Sequence, residues 1–516
     1  MRALAPDFRP YSWAMPTPEV AALAGIDPSQ VLRFDQNTPP LPLASTRPGT
    51  IAGALARVSG YPGGGYLPLR RAIADYAGVE PENVVLGVGA DDLILLVARA
   101  YAGPGDTIAI PDAPTYPLYK IAAELAGAIP EPGSRSEPGS QVLTFACRPN
   151  NPTGSLDPLP DARPLVVDEA YFEYCGETAV PLTESEEVIV LRTFSKLFGL
   201  AGARVGYAIA RRDIADELNA RNAPAPVSNL AAELALAALA EQPDPAPVIE
   251  ERERLASAFR ALGLEPSPSY TNFLYVPVDD GLALGDALLR QGLVVRAYPQ
   301  AIRASVRDAA DDDVLVEALA RILDRPSPVA PAGTRSARTV RATAETRIAT
   351  RLALDGASRV RVATGAGLYD HFLEQLAFHA GFDLLLEGVG DLETGDHHTA
   401  EDAALAFGGA LDRALGDRRG IARYGDAVVP MDDALARAAV DLGGRAHSEL
   451  ALELDPGMAT HMLQSIAQAA RASIHVQASG RDAHHVAEAA FKAVGRALRN
   501  AVRAESAGLP STKGLL

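Results

Sequence analysis

Residues 84–89 read VVLGVG, and runs of the same kind follow at TIAI (107–110), VLTFA (142–146), LVVDEA (165–170) and VIVLRT (188–193). Each is short, rich in β-branched residues and separated from the next by an Ala/Leu-rich stretch of helical character. That alternation describes an α/β fold, a mostly parallel sheet with helices covering it. Such sheets bind ligands beyond the ends of their strands. Polar residues collect at those ends: Asp168 closes one run, Thr193-Phe194-Ser195-Lys196 closes another, and Gly89-Ala90-Asp91 opens the helix DDLILLVARA.

Around this segment the composition sets limits. A chain of 516 residues exceeds one ordinary core, so two or three domains are expected. Hydrophobic residues make up 48% and charged residues 22%, as in globular proteins. The net charge of -18 argues against nucleic acid or an anionic membrane as a partner, so an anionic substrate must be held by a local group of Arg and Lys. Two cysteines, Cys147 and Cys175, leave no disulfide framework and fit a reducing compartment. Met1 to Pro16 has no signal pattern and no apolar run is long enough to span a bilayer, so a cytoplasmic enzyme is expected. All 9 histidines lie at or after His371. A seam precedes them at Asp324 to Arg338, DRPSPVAPAGTRSAR, where Pro, Ser, Gly and Ala replace the periodic pattern of VLVEALARIL. The expected organisation is a domain over 1–323, a linker over 324–338 and a second domain over 339–516.

A lysine directly after a buried strand loses solvent, and a desolvated, partly neutral amine suits Schiff-base chemistry. Lysines are more commonly solvated, but Lys196 has companions. Asp168 is placed to hold a pyridine nitrogen protonated, and Asn151 and Tyr171 can hydrogen-bond a ring hydroxyl. The N–H groups at Gly89-Ala90-Asp91, with Ser195 and Arg204, offer a phosphate site, and Tyr116 can stack on a ring. Each has an ordinary structural reading as turn, strand end or core; the set in this order does not.

Residues from about Arg9 to Leu323 resemble the fold-type I pyridoxal-phosphate aminotransferases, and within them the histidinol-phosphate branch. The matching stretches are YPGGGY (61–66), GADD (89–92), APTYPLY (113–119), RPNNPTG (148–154), VVDEAY (166–171) and RTFSKLFGLAGARVGY (192–207). The resemblance implies a large sheet domain with a small α/β domain and pyridoxal 5'-phosphate as cofactor. It implies Lys196 as Schiff-base lysine, Asp168 on the pyridine nitrogen, Asn151 and Tyr171 on the ring oxygen, and Tyr116 stacked. Ala90, Asp91, Ser195 and Arg204 would surround the phosphate, and Tyr61 would reach the cofactor of a dimer partner. Arg296 and Arg303 match positions that hold the substrate phosphate or carboxylate. Asp35-Gln36-Asn37-Thr38-Pro39 stands where that family has an SNENP-like start, and Ala304 to Asp308 lacks its usual glycine.

The last third contains an internal repeat. His371-Phe372-Leu373-Glu374-Gln375-Leu376-Ala377 resembles His461-Met462-Leu463-Gln464-Ser465-Ile466-Ala467, and HHTAE (397–401) resembles HHVAE (484–488). Each HHxxE opens a helical stretch, and the spacing predicts its second histidine and its glutamate on one face. Imidazole with carboxylate, and no cysteine nearby, suits Mn, Fe or Zn, and the doubled ligand set suits two metals. Arg423, Arg445, Lys492, Ser511 and Lys513 are cations and a hydroxyl suited to a phosphate monoester, and Glu345 is placed to take a proton.

Residues from about Arg338 to Leu516 resemble imidazoleglycerol-phosphate dehydratase, in TAETRI (343–348), LYDHFLEQLAFHAGFDL (368–384), GDHHTAEDAALAFGGAL (395–411), GIARYGDAVVPMDDAL (420–435), DAHHVAEAAFKA (482–493) and STKG (511–514). This implies a duplicated α+β module and two Mn ions held by His371, His397, His398, Glu401, His461, His484, His485 and Glu488, at sites shared between subunits of a large assembly. It also implies phosphate contacts from Arg423, Arg445, Lys492, Ser511 and Lys513, with His379 lining the site. Thr460 stands where that family has Glu.

The two resemblances meet. The dehydratase makes the keto compound, imidazole-acetol phosphate, that the aminotransferase would convert to histidinol phosphate with glutamate as donor. The expected protein is therefore a bifunctional, homo-oligomeric enzyme of histidine biosynthesis acting on phosphorylated imidazoles. For the first domain two alternatives stay open: another pyridoxal-phosphate aminotransferase or decarboxylase, and an inactive assembly partner.

Overall fold

The computed structural model describes residues 8–11, 13–26, 28–39, 55, 58–133, 141–329, 335–356, 358–455, 457–505 and 508. The chain forms two compact units, Met1–Val329 and Ala330–Leu516. Ser336 to Arg338, expected in the linker, instead begin the strand Ser336–Ala342, which pairs antiparallel with Thr346–Ala353. It is a half-exposed edge strand, so its polar residues carry no apolar alternation to reveal it.

In the first unit, seven strands lie in the order Val84–Gly87, Gly206–Ala210, Val188–Thr193, Leu165–Asp168, Leu143–Cys147, Thr107–Ile110, Ile129–Pro132. Gly206–Ala210 runs antiparallel to both neighbours, and the remaining pairings are parallel. Alternate residues supply opposite faces. Val167, Val190 and Ile209 join a core with the helices Leu67–Ala77 and Asn229–Glu241, whereas Val166, Ile189 and Ala208 face Gly89–Tyr101 and Leu118–Ala126. Both faces are covered, which is why these runs are continuously apolar. Ile189 and Val190 are each 0% exposed, and burial of such side chains contributes about 1.5–3 kcal/mol apiece. A smaller layer within this unit has the antiparallel strands Phe273–Pro277, Ala301–Ser305 and Arg296–Tyr298, packed with the helices Ala246–Ala261, Gly281–Leu289 and Ala309–Ile322.

The second unit repeats one design twice. Its two four-stranded sheets run Ser336–Ala342, Thr346–Ala353, Asp383–Gly390, Val360–Ala363 and Tyr424–Met431, Ala434–Asp441, Ser473–Ser479, His447–Leu452. In each, two antiparallel pairings are followed by one parallel pairing at the far edge. The buried-exposed alternation of Ala434–Asp441 leaves one face for the core, where the helices Gly367–Ala380, His397–Leu415, Met458–Ala469 and Ala483–Ala501 pack together. Among the described residues, no helix is long and apolar enough to cross a membrane.

Candidate functional site

In the first unit the sheet delivers its polar residues to one place. Strand Leu165–Asp168 ends in Asp168, which is 4% exposed; its Oδ2 accepts the Tyr119 hydroxyl at 2.7 Å and its Oδ1 the Ala170 amide at 3.1 Å. Burial pushes this carboxyl up against the opposing pull of the Tyr119 hydrogen bond, and it rests at about 6. Lys196 follows the strand Val188–Thr193, with its Nζ 5.4 Å from the centre of the Tyr171 ring. Enclosure first, then the Arg303 charge, lower its amine to about 8. Tyr171, 2% exposed, accepts from Asn37 at 2.8 Å. Asn151 spends its carbonyl on Arg303, 2.6 Å away, which leaves its amide NH2 to donate. Arg296 lies opposite Arg303 on the adjoining strand.

Ala90 and Asp91 occupy the first turn of the helix Gly89–Tyr101, with Ser195 buried close to Thr193. Arg204 binds Asp91 at 2.8 Å. Both partners are more than 40% exposed, and an ion pair of that kind contributes only about 0–1 kcal/mol, so it holds the Arg204 guanidinium weakly. Glycine is required here on two counts. Gly89 has φ +77, and a Cβ on Gly206 would stand 2.5 Å from the carbonyl carbon of Gly89. Tyr116 donates to Asp91 at 3.0 Å and meets Tyr119 edge to face. The buried amine, carboxylate and phenol beside a helix N-terminus fit a phosphorylated pyridine aldehyde in donor type. Tyr61 stands apart, 93% exposed.

In the second unit each His/Glu group draws side chains from both repeats. His371 of the first meets His484 and Glu488 of the second, and His461 of the second meets His397 and Glu401 of the first. The ligand atoms of each trio lie within 4.8 Å of one another. The His371 and His484 rings are stacked 6.0 Å apart, and those of His397 and His461 5.2 Å apart. His461 Nε2 is buried with no hydrogen-bond partner, which together with the all-imidazole and carboxylate donors fits a divalent metal.

The expected helix face needs correction. The first histidine of each HHxxE approaches the glutamate: His397 to Glu401 at 3.6 Å and His484 to Glu488 at 3.1 Å. At 3.6 residues per turn, four residues return closer to the same face than three do. His398 and His485 point to other carboxylates, with Nδ1 3.0 Å from Asp391 and 2.6 Å from Asp433. These bonds raise both imidazoles above their ordinary value and hold Asp433 down at about 2. Glu345 lies at a hairpin tip, 3.7 Å from His398 Nδ1.

The expected phosphate contacts are only partly assembled. Lys492 binds Glu488 at 2.8 Å, and its charge, after burial, lowers the imidazole of nearby His379. Arg423 is held by Asp441 at 2.7 and 3.1 Å, and Arg445 is exposed before the strand His447–Leu452. Ser511 and Lys513 lie outside the described residues. Sequence reading missed Tyr119, Asn37, Asp391 and Asp433. For Tyr119 a signal existed, a second tyrosine one turn beyond Tyr116, whereas the Asn37 and Asp391 contacts depend on tertiary structure.

Two family models match the chain: aminotransferase class I and II over residues 29–322, and imidazoleglycerol-phosphate dehydratase over residues 364–498. The imidazoleglycerol-phosphate dehydratase of Salinispora tropica is 49% identical over 201 residues, which cover 35% of this chain and 99% of that protein. That of Phytophthora nicotianae is 44% identical over 243 residues, covering 43% of this chain; the chain spans 54% of that relative's length. Among solved structures, a histidinol-phosphate aminotransferase from Sinorhizobium meliloti in complex with pyridoxal-5'-phosphate superposes with a TM-score of 0.53 at 24% identity, covering 62% of this chain and 98% of that one. A putative histidinol-phosphate aminotransferase from Erwinia carotovora atroseptica gives 0.52 at 22% identity, covering 57% and 96%. These likenesses place the first unit in the aminotransferase fold.

Proposed function

We propose that two consecutive reactions share this polypeptide, because the chain belongs to the class I and II aminotransferases over residues 29–322 and to the imidazoleglycerol-phosphate dehydratases over residues 364–498. The second unit dehydrates imidazoleglycerol phosphate to imidazole-acetol phosphate. The first transfers an amino group from glutamate to that ketone, giving histidinol phosphate. The observation that carries this reading is that one chain builds both sites, a desolvated lysine among Asp168 and Tyr171 and a duplicated His/Glu site, such that the ketone one makes is a substrate for the other.

In the first site Lys196 supplies the nucleophilic amine, made partly neutral near physiological pH by enclosure. Asp168, kept ionised with the help of Tyr119, would pair with the pyridine nitrogen, Asn151 and Tyr171 would hold the ring oxygen, and Tyr116 would stack on the ring. The Ala90 and Asp91 amides, Ser195 and Arg204 take the cofactor phosphate, Arg296 and Arg303 take the anionic groups of the substrate, and Tyr61 reaches a dimer partner's site. Pyridoxal phosphate, when bound, supplies an electron sink for loss of the substrate's α-proton.

In the second site His371, His484 and Glu488 hold one metal and His397, Glu401 and His461 the other, with His398 and His485 each completing a site in another copy of a large assembly. Manganese suits these ligands, and its charge lowers the cost of removing a proton from an imidazole substrate. Glu345 carries a proton. Lys492 and His379, with Arg423, Arg445, Ser511 and Lys513, hold the phosphate. A cytoplasmic location suits both steps.

The test is a Lys196→Ala variant reconstituted with pyridoxal phosphate. It should lose the visible absorption band of the wild type and all transamination while still dehydrating imidazoleglycerol phosphate in Mn2+. Wild-type protein that shows the band but transfers amino groups only among other substrates overturns the substrate assignment, and wild type without the band overturns the cofactor.

A further inference from the structure

In each HHxxE the second histidine stands outside the two trios, and each of these two is tethered at Nδ1; His398 forms a third close group with Glu345 and Asp391. In the first repeat His398 Nδ1 lies 3.0 Å from Asp391 Oδ2, an oxygen that also accepts from Thr394 at 2.9 Å. In the second, His485 Nδ1 lies 2.6 Å from Asp433 Oδ1, while Asp433 Oδ2 accepts the Arg481 amide at 2.5 Å and the Asp482 amide at 3.2 Å. Both carboxylates are thus fixed from a second direction and cannot swing freely.

The two tethers come from different places in the repeat. Asp433 sits at the tip of the hairpin between Tyr424–Met431 and Ala434–Asp441. The matching tip of the first repeat, between Ser336–Ala342 and Thr346–Ala353, carries Glu345, whose Oε2 is 3.7 Å from His398 Nδ1 and so outside hydrogen-bond distance. Asp391 instead comes from the segment joining Asp383–Gly390 to His397–Leu415. In the second repeat the acid of that segment, Asp482, caps the helix by accepting the amides of His484 and His485 at 2.8 and 3.2 Å. The two copies therefore hold the second histidine with acids from different places, the linking segment in the first repeat and the hairpin tip in the second.

A metal-binding imidazole commonly donates its other ring N–H to a carboxylate, which sets the tautomer and aims the ligating nitrogen. We infer that Asp391 and Asp433 are positioning residues that keep Nδ1 of His398 and His485 protonated and present Nε2 of each as a metal ligand. This rests on the dehydratase reading above. Glu345 is left as the hairpin acid that is near a histidine, 3.7 Å from His398 Nδ1, without a hydrogen bond to it, which suits a group that must move a proton.

The experiment titrates the full chain with Mn2+, following free Mn2+ by electron paramagnetic resonance, in wild type and in Asp391→Ala, Asp433→Ala, Asp391→Asn and Asp433→Asn. The alanine variants should bind Mn2+ about 10–100-fold more weakly. Asparagine keeps one acceptor oxygen, which at 391 can take both His398 and Thr394 and at 433 can take the imidazole N–H only by turning its NH2 toward the Arg481 and Asp482 amides, so both variants should fall between alanine and wild type, with the larger loss at 433. Glu345→Gln should keep wild-type Mn2+ affinity while slowing dehydration. Alanine variants that melt at lower temperature yet bind Mn2+ as wild type does overturn the inference, since that is what loop anchoring alone would give. If an alanine variant does not fold, wild-type affinity in its asparagine counterpart overturns it instead. Wild type that binds no Mn2+ overturns the dehydratase reading, a separate outcome.

Discussion

At Lys196 the strand has just ended and the amine is enclosed, so its charged form is disfavoured and its pKa falls to about 8. An amine lowered in this way is protonated below that pH and neutral above it. The apoprotein should therefore take up pyridoxal phosphate faster as pH rises toward 8 and level off beyond, measured as the rate at which the visible band grows. A rate that climbs through pH 10, as for a solvated lysine, contradicts the burial argument. Tyr119 acts on Asp168 in the opposite sense to burial, holding down a carboxyl that still rests at about 6. A hydrogen bond to a charged group contributes about 1.5–3 kcal/mol, so Tyr119→Phe should loosen pyridoxal phosphate roughly ten- to a hundredfold. Because removing the donor raises the Asp168 pKa, the loss should grow as pH falls, which equilibrium binding at several pH values checks. Unchanged affinity contradicts it. Lys196 and Asp168 were legible in the sequence because each closes a recognisable strand. Tyr119 offered only the signal of a second tyrosine one turn beyond Tyr116, because its role depends on where the helix Leu118–Ala126 puts its hydroxyl.

Helices in the second unit meet across the repeats through glycine. A Cβ on Gly495 would stand 2.3 Å from the Leu376 carbonyl oxygen, and one on Gly408 would stand 2.8 Å from that of Ile466. These glycines hold the same offset from their HHxxE histidines, and Leu376 and Ile466 the same offset from His371 and His461. Each close crossing joins the two helices that carry one His/Glu trio, so the separation of those helices bears on the spacing of its side chains. Gly495→Ala would gain about 1 kcal/mol of helix propensity but incur overpacking of about 1–3 kcal/mol against backbone that cannot yield without parting the helices. It should lower both the melting temperature and the Mn2+ affinity. Gly409→Ala is the control, since nothing lies within 4 Å of its Cβ, and it should be neutral or stabilising by up to about 1 kcal/mol. Equal effects at the two glycines would contradict the crossing argument. The repeat itself was readable from its doubled histidines. The exchange of partners between copies was not, because nothing in a local pattern says which copy a helix packs against, and the strand from Ser336 was hidden by its edge position.

The whole chain holds two compact units, each with its own core. A ligand stabilises only the unit that binds it, by about 2.7 kcal/mol at a hundred times its Kd. Calorimetry should therefore resolve two transitions, one raised by pyridoxal phosphate alone and the other by Mn2+ alone; a single transition moved by both ligands contradicts separate folding. The central claim is that both sites work in sequence. Its most direct measurement supplies one preparation of the full chain with imidazoleglycerol phosphate, Mn2+, pyridoxal phosphate and glutamate, and follows products over time. Wild type should yield histidinol phosphate and 2-oxoglutarate in equal amounts, with the keto phosphate accumulating instead in Lys196→Ala. Wild type that accumulates the keto phosphate and leaves glutamate untouched would contradict that claim.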